Sequence, residues 1–247
     1  MQGLRLAEVW LGCAVLAAAA ACGEGDDRGG GDGGGHQRAD AAAAVCGEEP
    51  ERSGEGTYYD ADGGGNCMFD PSPADLMVAA MNETDYESSA ACGACAAVEG
   101  PSGSVLVRIV DRCPECAPGD LDFSREAFAM IAAIEAGRVD IRWRYVECPV
   151  EGAMAFRFKE GSNPYWTAIQ VRNHRQRIAG LEARAAGGEY RTIAREQYNY
   201  FVAPEGLGEG PYDLRVTDVY GHVVDEPAVA PGDGVVVEGT AQLPACE

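Results

Sequence analysis

Asp111 and Asp122 are the side chains of this sequence whose setting most suggests chemistry. Asp111 ends the β-rich run Val105-Leu106-Val107-Arg108-Ile109-Val110, and Asp122 stands just ahead of Ser124, a residue type that caps helices. Carboxylates at a strand end and a helix start often meet in a cleft. Partial desolvation there splits their pKa values and can keep one protonated as an acid. The plainer assignment is structural, with Asp111 accepting turn hydrogen bonds and Asp122 supporting the cap. A second group consists of rings: Pro164-Tyr165-Trp166 shortly after Lys159-Glu160-Gly161-Ser162-Asn163, then Tyr198-Asn199-Tyr200-Phe201. Neighbours in a regular strand point to opposite faces, but a proline permits an irregular edge on which Tyr165 and Trp166 share one surface. A row of exposed rings suits a polysaccharide, because pyranose C–H faces stack on aromatics with little lost entropy. Phe156, Phe158 and Phe201 read as core. The third segment, Gly56-Thr57-Tyr58-Tyr59-Asp60, runs into a glycine-rich loop that ends at Cys67.

The cysteines set the compartment. Of ten, Cys13 and Cys22 fall in or at the end of a targeting segment, which leaves Cys46, Cys67, Cys92, Cys95, Cys113, Cys116, Cys148 and Cys246. An even number in an exported chain predicts four disulfides. Cys92-x-x-Cys95 and Cys113-x-x-Cys116 also have zinc-ribbon spacing. Export favours disulfides, because that compartment oxidises thiols, so neither a metal nor a cofactor is expected. One hairpin turning at Gly100-Pro101-Ser102-Gly103 would bring Cys92 near Cys116 and Cys95 near Cys113. The same symmetry suits zinc, so spacing does not choose, and eight cysteines allow 105 pairings.

The targeting segment is residues 1–22. Arg5 gives a basic start, Val9 to Ala21 is an apolar run of 13 residues, and Ala19-Ala20-Ala21 precedes Cys22. That run is too short to span a bilayer. Small residues before a cysteine resemble a lipoprotein signal, with Cys22 acylated after cleavage. Residues 23–45 are Gly, Asp and Ala without apolar periodicity, and read as a flexible tether of roughly 25–30 Å.

Folded structure is expected from Cys46. In residues 46–149 the run Val105–Val110 is a buried strand, and Val139, Ile141, Trp143 and Tyr145 alternate with polar residues as a one-faced strand. Ser124 caps a helix carrying Phe128, Ile131 and Ile134 that stops at Gly137. Cys148-Pro149-Val150-Glu151-Gly152 reads as a hinge. Residues 150–247 hold short strands at Met154–Lys159, Trp166–Asn173, Tyr190–Ala194, Tyr198–Ala203 and Tyr212–Val219, the pattern of a β-sandwich. The fold class is mainly β in two domains.

Net charge is -21, from 40 acidic and 19 basic residues. Such a surface repels phosphate backbones and acidic polymers, which excludes nucleic acid and anionic wall material as partners. Gly47 to Pro149 carries 20 acidic and 7 basic residues, and Val150 to Glu247 carries 14 and 9, so the second domain is the less repulsive toward a large surface. Membrane contact is expected only through an N-terminal lipid.

These segments, in this order and spacing, resemble a bacterial expansin from about Gly56 to Glu226. The resemblance rests on Lys159-Glu160-Gly161-Ser162, Ala168-Ile169-Gln170-Val171-Arg172-Asn173-His174, Tyr198-Asn199-Tyr200-Phe201, and Val110-Asp111 followed by Leu121-Asp122-Phe123-Ser124. It implies a six-stranded double-psi β-barrel followed by an immunoglobulin-like β-sandwich that binds carbohydrate. It implies loosening of cellulosic walls without hydrolysis, outside the cell or at a bacterial outer-membrane surface, by a monomer whose partner is cellulose or a related β-glucan. By position, Asp122 matches the essential barrel carboxylate and Asp111 its partner. Thr57 and Tyr59 match other groove residues, Tyr165, Trp166 and Tyr198 the three rings of the binding face, and Lys159 a polar residue beside them. Two departures stand out. The first ring is Tyr165 where tryptophan is usual, and Cys113 replaces a groove tyrosine, which removes one sugar contact.

The competing reading is an enzyme on the same barrel, an endoglucanase or a lytic transglycosylase. Inverting hydrolysis needs a base roughly 6.5–9.5 Å from the acid. That base would fall near Ala61, between Asp60 and Asp62, and neither aligns cleanly. Transglycosylation needs only the acid.

Overall fold

A computed structural model describes residues 46–246, so the signal, Cys22 and the tether lie outside the described residues. Six strands close a barrel: β1 (Arg52–Tyr59), β2 (Val78–Asn82), β3 (Cys95–Gly100), β4 (Gly103–Cys113), β5 (Leu121–Ser124) and β6 (Val139–Val146), in the order β1-β5-β2-β4-β3-β6. β1 runs parallel to β5 and β2 parallel to β4, while the other pairs are antiparallel. Closure leaves no free sheet edge. The alternation in β6 is kept: Ile141, Trp143 and Tyr145 are buried, and the residues between them face out. Both polar ring atoms are satisfied, Trp143 Nε1 donating to the Gly119 carbonyl at 2.7 Å and Tyr145 Oη to the Asp85 carbonyl at 3.0 Å.

The helix begins as expected but ends early. In α1 (Arg125–Ile131), the Ser124 hydroxyl accepts the Ala127 N–H at 3.0 Å. Ala132 is extended, and Ile134–Ala136 forms a separate 3-10 turn closed by Gly137 at φ 68. The apolar spacing spans the break because Ile134 still packs on the barrel core.

The hairpin at Gly100–Gly103 forms, but its register puts Cys95 opposite Arg108 instead of Cys113. The cysteine pairing suggested by symmetry therefore fails, and so does the zinc-ribbon grouping. The disulfides are Cys46–Cys246, Cys67–Cys92, Cys95–Cys148 and Cys113–Cys116. Cys46–Cys246 closes a separation of 200 residues and Cys113–Cys116 one of 3. Chain entropy then assigns roughly 5 kcal/mol to the first and roughly 2 to the second. The expected hinge is held at one end: Cys148 is bonded to Cys95, and its N–H donates to the Arg175 carbonyl at 2.9 Å.

The rest of the chain builds a second sheet: β7 (Ala155–Phe158), β8 (Thr167–Arg172), β9 (Ile178–Ala185), β10 (Arg191–Arg195), β11 (Phe201–Ala203), β12 (Tyr212–Asp218), β13 (Val223–Val229) and β14 (Val236–Glu238), ordered β13-β12-β9-β10-β11-β8-β7-β14. Residues from both halves share one core, with Phe156, Phe158, Ile169 and Phe201 packed with Leu181, Tyr212 and Leu214. The sheet thus folds over itself as a sandwich. Five of its strands answer the expected segments, Tyr198–Ala203 only from Phe201. β9, β13 and β14 were not expected.

Candidate functional site

Thr57, Asp122, Ala80 and Asp111 form one row across the barrel. Thr57 pairs in register with Asp122, Asp122 with Ala80, and Ala80 with Asp111. In-register neighbours point to one face, so the aspartates lie two strand spacings apart, roughly 9.5 Å between backbones. A bulge makes the row. Ala79 pairs with Ile109 and Ala80 with Asp111, skipping Val110. Without that extra residue, Asp111 would turn to the opposite face.

Thr57 Oγ1 donates to Asp122 Oδ1 at 2.6 Å. Burial pushes the Asp122 carboxyl above the usual aspartate range; the Thr57 hydrogen bond opposes this, and the charges of Glu115 and Asp111 add to it. Tyr59 is raised further, first by burial and then by Asp111, Asp122 and Asp62. Its hydroxyl is buried and has no hydrogen-bond partner among the described residues. A cleft of about 290 Å³ runs beside Thr57 and Asp122, lined also by Glu115, Asp120 and the Cys113–Cys116 disulfide.

Asp111 faces the glycine-rich loop. Its Oδ1 accepts the Asn66 N–H at 2.6 Å and the Arg112 N–H at 2.8 Å. Gly65, at φ +148, lies so close that any Cβ there would collide with the Asp111 carboxyl. The plain reading of Asp111 as a hydrogen-bond acceptor holds, though its partner is a loop 45 residues upstream.

On the sandwich, Asn163 and Trp166 close a tight turn, Asn163 N–H to Trp166 O at 2.8 Å and Trp166 N–H to Asn163 O at 3.2 Å. The turn lifts Tyr165 to 82% exposure. The loop behind passes so near that only glycine fits at Gly206, φ +70 against the Pro164 carbonyl. Trp166 and Tyr198 are half-buried against one outward cluster of Ala168, Tyr200 and Val202, and Lys159 Nζ lies 5.5 Å from the Tyr200 ring centre. Phe156, Phe158 and Phe201 are buried in the core.

Side chains outside the expected site set join these parts. Asn66 Nδ2 donates to the Gln197 carbonyl at 2.7 Å and to Tyr86 Oη at 2.8 Å, and Tyr86 Oη donates to the same carbonyl at 3.0 Å. On the other side of Tyr198, Asn199 Nδ2 donates to the Cys67 carbonyl at 3.3 Å. Glu115 lines the cleft beside Asp122. Of the residues named from sequence, Thr57, Asp122 and Asp111 share the groove row with Tyr59 nearby; Trp166 and Tyr198 share the face with Lys159 and Tyr165 beside it.

A family model described as "Lytic transglycolase" matches residues 78–143, from β2 into β6. Expansin-YoaJ of Bacillus subtilis is 36% identical over 190 residues, covering 73% of this chain and 81% of that protein. Expansin-like protein 1 of Dictyostelium discoideum is 28% identical over 181 residues, covering 68% and 63%. Among solved structures, the apo expansin of Clavibacter michiganensis is similar with a TM-score of 0.74 and 34% identity, covering 78% of this chain and 98% of that one. A point mutant of that protein, solved in complex with cellohexaose, matches with the same values.

Proposed function

This chain belongs to the expansin family, and on that premise we propose that it loosens cellulosic walls without hydrolysis, holding a β-glucan along a surface from the barrel groove to the aromatic face. The observation that carries this reading is the joint between the two. The Asn66 backbone is bound to Asp111, and its side chain to Gln197, the neighbour of Tyr198. A glucan stacked on Tyr165, Trp166 and Tyr198 would thus be led toward a groove held in fixed register. The Clavibacter relative solved with cellohexaose supports the ligand class.

In this reading the rings supply affinity through stacking that salt hardly affects. Lys159 adds a donor beside them. In the groove, Asp122, whose carboxyl burial holds above the usual aspartate range, engages a glucan hydroxyl or glycosidic oxygen with one oxygen while Thr57 holds the other. Asp111 accepts from sugar hydroxyls. Binding that twists a chain into this groove replaces glucan–glucan hydrogen bonds with protein–glucan ones, which loosens the wall and breaks no covalent bond. The charge of -21 directs the protein to neutral glucan.

Residues 46–149 serve as the barrel domain and 150–247 as the carbohydrate-binding domain. The protein works outside the cytoplasm as a monomer, held by a lipid on Cys22 after cleavage between Ala21 and Cys22 and kept at a distance by 23–45. No helix among the described residues is long and apolar enough to cross a membrane. An enzyme reading, endoglucanase or lytic transglycosylase, draws on the matched family model and on Glu115 sharing the Asp122 cleft. Incubation with cellulose and with peptidoglycan separates the readings. We expect protein bound to cellulose and no soluble sugar from either polymer. Reducing ends from cellulose or anhydro-sugars from peptidoglycan would replace loosening with cleavage.

A further inference from the structure

A second cleft, of about 330 Å³, lies where the outer barrel wall meets the Cys148–Val150 crossing. It is lined neither by the groove row nor by the aromatic face. Its walls are mostly apolar, with Met77, Leu106, Val107, Pro149 and Val150. Leu106 is 38% exposed there, an aliphatic side chain turned outward from β4.

One cation stands in this cleft. Arg108 leaves β4 on the same outward side as Leu106, and its guanidinium lies 5.5 Å from the Phe69 ring centre. Among the described residues no group accepts a hydrogen bond from that guanidinium, and the Asp75 carboxylate stands 3.9 Å away at 67% side-chain exposure. Arg172, on the same ring at 5.8 Å, is different: it donates to Gln170 Oε1 at 2.5 Å and to Asp70 Oδ2 at 2.6 Å. Two arginines thus flank one ring, and only one has its N–H fork uncommitted. Burial already lowers the Arg108 pKa, so an anion there would offset a desolvation that the protein alone leaves unbalanced.

A planar fork of donors matches a carboxylate, and largely apolar walls with a few polar groups, here Arg108, Asp75, Asn173 and His174, suit a compact ligand. We propose that this cleft binds a small carboxylate with an apolar body, its anion on Arg108 and its body against Leu106, Met77 and Val150. Asp75 is the internal competitor: it attracts the guanidinium without bonding to it and repels an incoming anion. The site is independent of the glucan surface, so its occupation adds a ligand that the wall-loosening reading does not require.

The test uses the exported chain with para-ethylbenzoate as probe and para-ethylbenzamide as its uncharged match, followed by NMR titration and saturation transfer. The acid should saturate the site at millimolar concentration, and the amide should bind at least about tenfold more weakly, the weight of one charge-assisted fork. Arg108→Gln should remove the preference for the acid. Asp75→Asn should tighten the acid several-fold without changing the amide, an effect that a misfolded protein would not give. Unaltered cellulose binding would confirm that both variants fold. Equal binding of acid and amide, a preference for the acid that survives Arg108→Gln, or no binding of either probe would overturn the proposal.

Discussion

The side-chain amide of Asn66 donates to the main-chain carbonyl of Gln197 at 2.7 Å across 131 residues of sequence. It links the loop that hydrogen-bonds Asp111 to the turn that carries Tyr198. On the proposed reading, groove and face registered in this way would bind as two linked modules with a high effective concentration.

Asn66→Ala should therefore weaken binding to long insoluble cellulose by about tenfold, while leaving the affinity of the sandwich for a short oligosaccharide unchanged. The fold should survive, because the Tyr86 hydroxyl still donates to the Gln197 carbonyl at 3.0 Å. Depletion isotherms on cellulose alongside calorimetry with a cello-oligosaccharide would show the split. Equal losses on both ligands would assign Asn66 to the binding face itself.

Replacing Tyr165, Trp166 and Tyr198 together by alanine should abolish cellulose binding with a small change in melting temperature. Tyr165 is exposed and the other two are only half-buried on the outward cluster. Wild-type binding should change little in moderate salt, since stacking has no net charge to screen. Binding that persists in the triple variant, or collapses with salt, would place the surface elsewhere.

His174 gives a prediction in pH. Burial is the largest of the influences on it and pulls its pKa down to about 4, with Nδ1 2.7 Å from the Gln176 carbonyl. The unfolded chain protonates near the ordinary value of about 6.5, so between these values the unfolded state binds more protons and stability rises with pH. The contribution is complete above about 6.5 and falls by roughly 3 kcal/mol toward pH 4. Denaturant midpoints at several pH values should show this slope in the wild type and a shallower one in His174→Gln. Identical slopes would mean that the imidazole is charged or solvated in the folded state.

What could be read from the sequence follows from the range over which each signal acts. The alternation of Ile141, Trp143 and Tyr145 is local and survives as β6, as does the turn at Gly100–Gly103. Asp111 and Asp122 were singled out from their places at a strand end and a helix start and from the family resemblance, whereas the bulge at Val110 that sets them in one row leaves no mark in their spacing. The count of four disulfides was legible from eight cysteines in an exported chain, but their partners were not, because they depend on contacts distant in sequence; Cys95 joins Cys148, 53 residues away. Asn66 lay in a glycine-rich stretch that looks like any loop, and nothing in its neighbours points to a carbonyl in the other domain. β13 was overlooked because Pro227 interrupts it, and β14 because it has only three residues.

The most direct test is the replacement of Asp122 by asparagine, assayed by mechanical creep of a cellulosic wall or paper under load. The amide keeps the size of the side chain and can still accept from Thr57, but it has no acidic proton and cannot hold a charge. The account predicts a folded Asp122→Asn protein that binds cellulose like the wild type and produces no creep, with neither protein releasing soluble sugar from cellulose or peptidoglycan. Creep retained by Asp122→Asn, or sugar released by the wild type and lost in the variant, would contradict it.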